Sequence, residues 1–151
     1  FENISGNDYD IIVNIQGDEP FILPEDIDSL ISNANQYGDI STLVTSLNES
    51  ESTDRNVVKC ISDYTNACMF TRSPLYRPSK IVYKHIGTYA FRRESLEKIK
   101  SLNLKTTNEV AESLEQLRWL DNGININIRY TPNSSISIDT PEDLQKALEL
   151  L

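Results

Sequence analysis

Apolar and polar positions along this chain switch between two periods. Asp10 to Ile15 (Asp-Ile-Ile-Val-Asn-Ile) is a near-continuous β-branched run, which predicts a strand covered on both faces, as in a parallel sheet. The run stops at Gln16-Gly17-Asp18-Glu19-Pro20. Pro24 suits a first helical turn with Glu25 and Asp26, and Ile27, Leu30, Ile31 and Ala34 recur at helical spacing before Gly38. Ser41 to Leu47 predicts a second strand, and Asn48 to Arg55 a polar loop without a period. Val57 to Ser62 and Ala67 to Arg72 predict two strands whose connection, Asp63-Tyr64-Thr65-Asn66, fits a hairpin. Pro74 and Pro78 make Ser73 to Lys80 a loop. From Ile81 to Arg92 the pattern is again strand-like. Period two places Tyr83, His85, Gly87, Tyr89 and Phe91 on one face, with a gap at Gly87.

Helices are predicted over Glu94 to Leu102 and over Asn108 to Asn122, the second ended by Gly123. In a continuous helix, Val110, Leu114, Leu117 and Leu120 form the core stripe, while Glu112, Glu115, Gln116 and Trp119 share the opposite side. Ile124 to Arg129 and Ile136 to Ile138 predict further strands, and Thr140 caps a terminal helix that opens at Pro141. Strands alternating with helices predict an α/β class, a layered, mainly parallel sheet flanked by helices, in one domain over residues 1–151. Ligands in such sheets bind at the carboxyl ends of strands, where the acidic loops lie.

Composition narrows the function. The chain has 151 residues, 38% of them hydrophobic and 25% charged, as in a soluble folded domain. Its 23 acidic against 14 basic side chains give a charge of −9, which disfavours nucleic acid or an anionic membrane as partner. An anionic ligand then needs a local basic group or a metal. No apolar stretch reaches the length of a membrane span and no leader pattern opens the chain, so a cytoplasmic location is expected. Cys60 and Cys68 lie in apolar runs at a spacing that fits no zinc pattern; both are read as buried thiols, with a disulfide as the alternative.

Asp18 and Asp139 each follow a predicted strand. On one rim of a sheet the two carboxylates could share a magnesium ion whose remaining positions go to water and phosphate; turn and capping roles are the alternative. Arg72 offers either a planar clamp for a carboxylate or a surface charge at a strand end. His85, the single histidine, either meets a ligand beside Gly87 or packs in the core. Glu112, Glu115 and Gln116 either bind hydroxyl groups or form a solvated face. Trp119 beside them suggests a face covered by ligand or by a partner subunit.

Five segments carry a resemblance. Val13-Asn14-Ile15-Gln16-Gly17-Asp18-Glu19-Pro20, Thr71-Arg72-Ser73-Pro74, His85-Ile86-Gly87-Thr88-Tyr89-Ala90-Phe91-Arg92, Glu112-Ser113-Leu114-Glu115-Gln116-Leu117-Arg118 and Ile138-Asp139-Thr140-Pro141-Glu142-Asp143-Leu144 follow one another in family order. Together they resemble the 3-deoxy-manno-octulosonate (Kdo) cytidylyltransferases, the CMP-Kdo synthetases of lipopolysaccharide synthesis. The resemblance implies a nucleotide-diphospho-sugar-transferase-like, Rossmann-related fold, a homodimer, and magnesium-dependent transfer of CMP from CTP to the anomeric hydroxyl of Kdo with release of pyrophosphate. It implies Asp18 and Asp139 as catalytic, magnesium-binding aspartates, with Gln16, Arg72, His85, Tyr89, Glu112, Glu115 and Gln116 at the substrate. The family's basic, glycine-bearing nucleotide loop has no counterpart after Phe1. The chain is therefore expected to correspond to the carboxyl-terminal portion, incomplete at the amino-terminal side of the sheet and inactive alone. A cytidylyltransferase for another acidic sugar, sialic-acid-like, and a noncatalytic binding or assembly fragment are the alternatives.

Overall fold

In a computed structural model, which describes residues 9–133, 137–138 and 141–149, one sheet carries all the described strands. Its axis is the long strand β5 (Val82–Arg92). Along one edge of β5 lie β1 (Ile11–Asn14) and, further down, β3 (Lys59–Ser62), which continues into β4 (Ala67–Thr71). Along the other edge lie β2 (Ile40–Thr45) and then β6 (Ile126–Tyr130). Strands β1, β2 and β3 all run antiparallel to β5, and β3 antiparallel to β4; only β2 and β6 pair in parallel. The α/β layering is as expected, but the sheet is mixed, not mainly parallel. The reason lies far along the chain. β1 and β2, joined by helix α1 (Pro24–Tyr37), do point the same way, as a crossover requires, yet β5 inserts between them.

The sheet buries two faces. On one, Leu30 and Ala34 of α1 pack on Leu43, Ile86 and Ala90. On the other, Ile40, Val44, Phe70, Tyr89, Phe91 and Ile126 meet Leu96 of α3 (Arg93–Lys100) together with Leu114, Leu117 and Trp119. Each fully buried aliphatic or aromatic side chain contributes roughly 1.5–3 kcal/mol. Helix α1 starts and ends where its sequence signals place it: Pro24 in the first turn, and Gly38, at φ 80°, donating its N–H to the Ala34 carbonyl.

Three expectations are corrected. Residues 48–55 are not all loop: Asn48 and Glu51 form a reciprocal capping box that starts α2 (Glu49–Thr53). The predicted helix over 108–122 is two helices, α4 (Thr107–Glu112) and α5 (Gln116–Asp121), broken at Ser113, which is left-handed at φ 56°. Val110, ahead of the break, is 64% exposed, and the residues after it are rephased, burying Trp119 to 6% against Tyr89 and Phe91. A strained residue costs about 1 kcal/mol, which burial of Leu114, Leu117 and Trp119 outweighs. Finally, Cys60 is buried as read, but Cys68 is exposed, and both are free thiols. Ile136, Asp139 and Thr140 lie outside the described residues, as does the predicted cap; Ser137 and Ile138 form no strand. The terminal helix α6 (Pro141–Leu148) is present. No helix among the described residues is long and apolar enough to cross a membrane.

Candidate active site

The register of β1 on β5 assembles the first part of the site. Asn14 pairs with Tyr89, and continuing that register sets Gln16 against Gly87. A Cβ on Gly87 would stand 2.8 Å from Gln16 Oε1, so the missing side chain is the space into which the Gln16 amide folds. Beside it, His85, Tyr89 and Phe91 share a face as the period-two pattern predicts. The His85 ring contacts Phe70 edge-on at 4.8 Å and Tyr89 at 5.4 Å.

A break in the strand shapes this face. Pairing of β2 with β5 jumps from Thr42–Tyr89 to Leu43–Ile86, so Gly87 and Thr88 bulge out of the ladder. The Thr42 hydroxyl fills the opening: its oxygen lies 2.9 Å from the Thr88 carbonyl oxygen and 2.9 Å from His85 Nε2. Burial and, secondarily, the Arg72 charge push the His85 imidazole down to about 3, so the ring is neutral at physiological pH. Burial raises the Tyr89 phenol well above its ordinary value, with Cys60 and Glu115 adding to the effect.

Arg72 leaves the end of β4 in a clamp. Its backbone N–H donates to Glu112 Oε2 at 2.7 Å, while Thr71 and Ser73 hydroxyls donate to Oε1 at 2.9 and 3.2 Å. From the other side the Lys59 ammonium donates to the Arg72 carbonyl at 3.0 Å and the Asp54 carbonyl at 2.7 Å. Lys59 is fully buried, and desolvation lowers its pKa despite the nearby Asp54 and Glu112 charges. The Arg72 guanidinium uses Nη1 on the Arg55 and Asn56 carbonyls. Its Nε and Nη2 edge makes no hydrogen bond among the described residues.

Glu112 is therefore not part of a solvated face; both its oxygens hold the Thr71–Ser73 turn. Glu115 is exposed and pairs with Arg118 Nη2 at 2.9 Å. Gln116 is buried at the start of α5, past the break, and no hydrogen bond ties it to the other candidates. Asp18 is half-buried in the turn after β1, and its carbonyl accepts the N–H of Ile138 at 2.8 Å. Asp139, the next residue along, is outside the described residues. Among those described, no three acidic, histidine or cysteine side chains gather as a metal-binding cluster. The donor chemistry at Asp18 nonetheless fits magnesium, which takes one or two carboxylates and completes its shell with water and phosphate.

Sequence reasoning missed Thr42 and Lys59. Lys59 had a signal, a lysine inside the apolar run from Val57 to Cys60; Thr42 had none, because its role depends on the bulge in a distant strand.

A cytidylyltransferase family model matches residues 1–126. The 3-deoxy-manno-octulosonate cytidylyltransferase of Parabacteroides distasonis is 44% identical over 165 residues, covering 97% of this chain and 64% of that protein. That of Porphyromonas gingivalis is 44% identical over 157 residues, covering 93% and 61%. A solved structure of a CMP:2-keto-3-deoxy-manno-octonic acid synthetase complexed with CTP superposes with a TM-score of 0.84 at 35% identity, over 95% of this chain and 62% of that one. The 4-diphosphocytidyl-2C-methyl-D-erythritol synthase of Anaerococcus prevotii, at 19% identity and a TM-score of 0.57, shares the fold alone. The chain spans less than two thirds of the length of the curated relatives it matches. With the family model covering most of the chain, the chain belongs to the cytidylyltransferase family.

Proposed function

We propose that this chain carries the acidic-sugar pocket of a CMP-Kdo synthetase, which joins the anomeric oxygen of Kdo to the α-phosphorus of CTP as the bond to pyrophosphate breaks. One observation carries the reading. The Nε and Nη2 edge of Arg72 makes no hydrogen bond among the described residues, the Arg72 charge is felt by the neutral His85 imidazole, and the carboxylates of Glu112 and Glu115 already have partners. On a chain of charge −9, that arrangement suits a ligand with one carboxylate and several hydroxyls. Arg72 receives the carboxylate through paired hydrogen bonds, and His85, Tyr89 and the Gln16 amide orient the hydroxyls. Asp18 and Asp139 would hold magnesium, which when bound supplies neutralisation of the phosphate charge and a lowered pKa for a coordinated hydroxyl. A cytoplasmic place in lipopolysaccharide synthesis and a homodimer belong to the same proposal. The dimer no longer draws support from Trp119, which is a core residue here.

The chain spans 61–64% of the length of its curated relatives, and we expect it alone to bind Kdo without turning over. Calorimetric titration with Kdo in magnesium should show sugar-specific heat, and a pyrophosphate-release assay with CTP should show no rate above background. Absence of Kdo heat would reduce the chain to an assembly fragment, turnover at family-like rates would overturn its inactivity, and preference for a sialic-acid-like sugar would replace the substrate.

Gly87→Ala tests the pocket wall. The obstructing atoms are the end of a flexible side chain, so folding stability should change by no more than about 0.5 kcal/mol. Kdo affinity should fall by roughly three- to tenfold as the Gln16 amide is pushed aside. Unchanged affinity would place the sugar elsewhere.

A further inference from the structure

A hydroxyl has one hydrogen, and the geometry around Thr42 says where it goes. A carbonyl oxygen can only accept, so the 2.9 Å approach of Thr42 Oγ1 to the Thr88 carbonyl commits that hydrogen to it. The Ile86 carbonyl, at 3.4 Å, draws on the same hydrogen. His85 Nε2, also 2.9 Å from Oγ1, must then be the donor, since two acceptors without a hydrogen between them would repel. The oxygen keeps a second lone pair, so the neighbouring Tyr89 phenol can share it without displacing either bond. A neutral imidazole with its proton on Nε2 has a bare Nδ1, which no hydrogen bond among the described residues engages.

We propose that Thr42 is a positioning residue that holds His85 as the Nε2–H tautomer and so turns Nδ1 into a hydrogen-bond acceptor for a substrate hydroxyl; the substrate half rests on the Kdo reading. The device originates in the bulge. Where Gly87 and Thr88 leave the ladder, carbonyls lose their strand partners, and Thr42 satisfies them with the hydrogen it would otherwise share with the ring. Chemistry follows from the tautomer. With the proton on Nδ1 the ring would offer a donor to the sugar, whereas with it on Nε2 the ring selects a hydroxyl that donates, complementing Arg72, which can only donate.

Because His85 is the only histidine, imidazole 15N–1H spectra of the uniformly labelled chain contain a single ring. At neutral pH, Nε2 should show a pyrrole-type signal and Nδ1 a pyridine-type one. A proton on Nδ1, or on both nitrogens, overturns the proposal. Thr42→Val should let the ring redistribute between tautomers and weaken Kdo binding by roughly tenfold, whereas Thr42→Ser should restore both. Should the valine variant fail to fold, the spectrum of the unaltered protein still decides. On adding Kdo, a shift at Nδ1 with Nε2 unmoved supports the acceptor role, and binding heat without a shift at Nδ1 overturns it. Absence of heat overturns the Kdo reading alone, since the tautomer is read without ligand.

Discussion

Asp18→Asn, in the protein extended to the relatives' length, is expected to lower the rate of CMP-Kdo formation by at least about 100-fold, the scale on which a single charge-stabilising group acts at a reacting phosphate. Asparagine keeps the shape and one oxygen but removes the negative charge, and magnesium binds hard anionic oxygens at short range. The loss should be accompanied by a higher magnesium requirement. Stability should hardly change, because the described bond of Asp18 to Ile138 uses the backbone carbonyl and survives the substitution. An unchanged rate across a magnesium titration would remove Asp18 from the metal site. The same substitution at Asp139 should behave alike.

Glu112→Ala is expected to lose both stability and sugar affinity. Three donors converge on this carboxylate, one of them the backbone N–H of Arg72, and hydrogen bonds to a charged group contribute about 1.5–3 kcal/mol each when buried. Glu112 is only half-buried, so solvent screening reduces the sum to roughly 2–4 kcal/mol. For a chain of this size that is a fall in Tm of roughly 6–13 °C. Kdo affinity should drop at least about tenfold, since the turn that aims Arg72 loses one of its two anchors. An unchanged Tm would contradict the clamp.

The pH dependence has a definite sign. Burial alone would raise the Glu112 pKa, but the bonds from Arg72, Thr71 and Ser73 prevail and hold it below the ordinary 4.5. A depressed folded value means the clamp contributes fully above 4.5 and fades as pH falls through the lower, folded value. Urea midpoints of Glu112→Gln should therefore converge on those of the unaltered protein in acid.

Much of the site was legible as residue types and not as geometry. Gln16, Arg72, His85 and Tyr89 were singled out by their motifs, and strand periodicity placed His85, Gly87 and Tyr89 on one face. Reading Glu112, Gln116 and Trp119 onto one helix face failed because a single left-handed residue, Ser113, shifts the phase of all that follows. Helical periodicity over 108–122 carries no mark of that break, since its cause is the core waiting for Leu114, Leu117 and Trp119. The capping box at Asn48 and Glu51 is a local signal in the sequence, but the helix it starts, five residues long, is too short to show a hydrophobic period.

By itself the sequence determined the family, the strand inventory from Asp10 to Arg92, the ends of α1 and the face of β5 that meets the site. These depend on local periods, local caps and motifs, all of which are written in contiguous residues. Only the tertiary structure decided that β5 enters between β1 and β2, that its bulge hands two carbonyls to Thr42, and that Lys59 and Glu112 grip Arg72 from opposite sides. Each of those joins residues tens of positions apart, where the pairing is chosen by how whole faces pack.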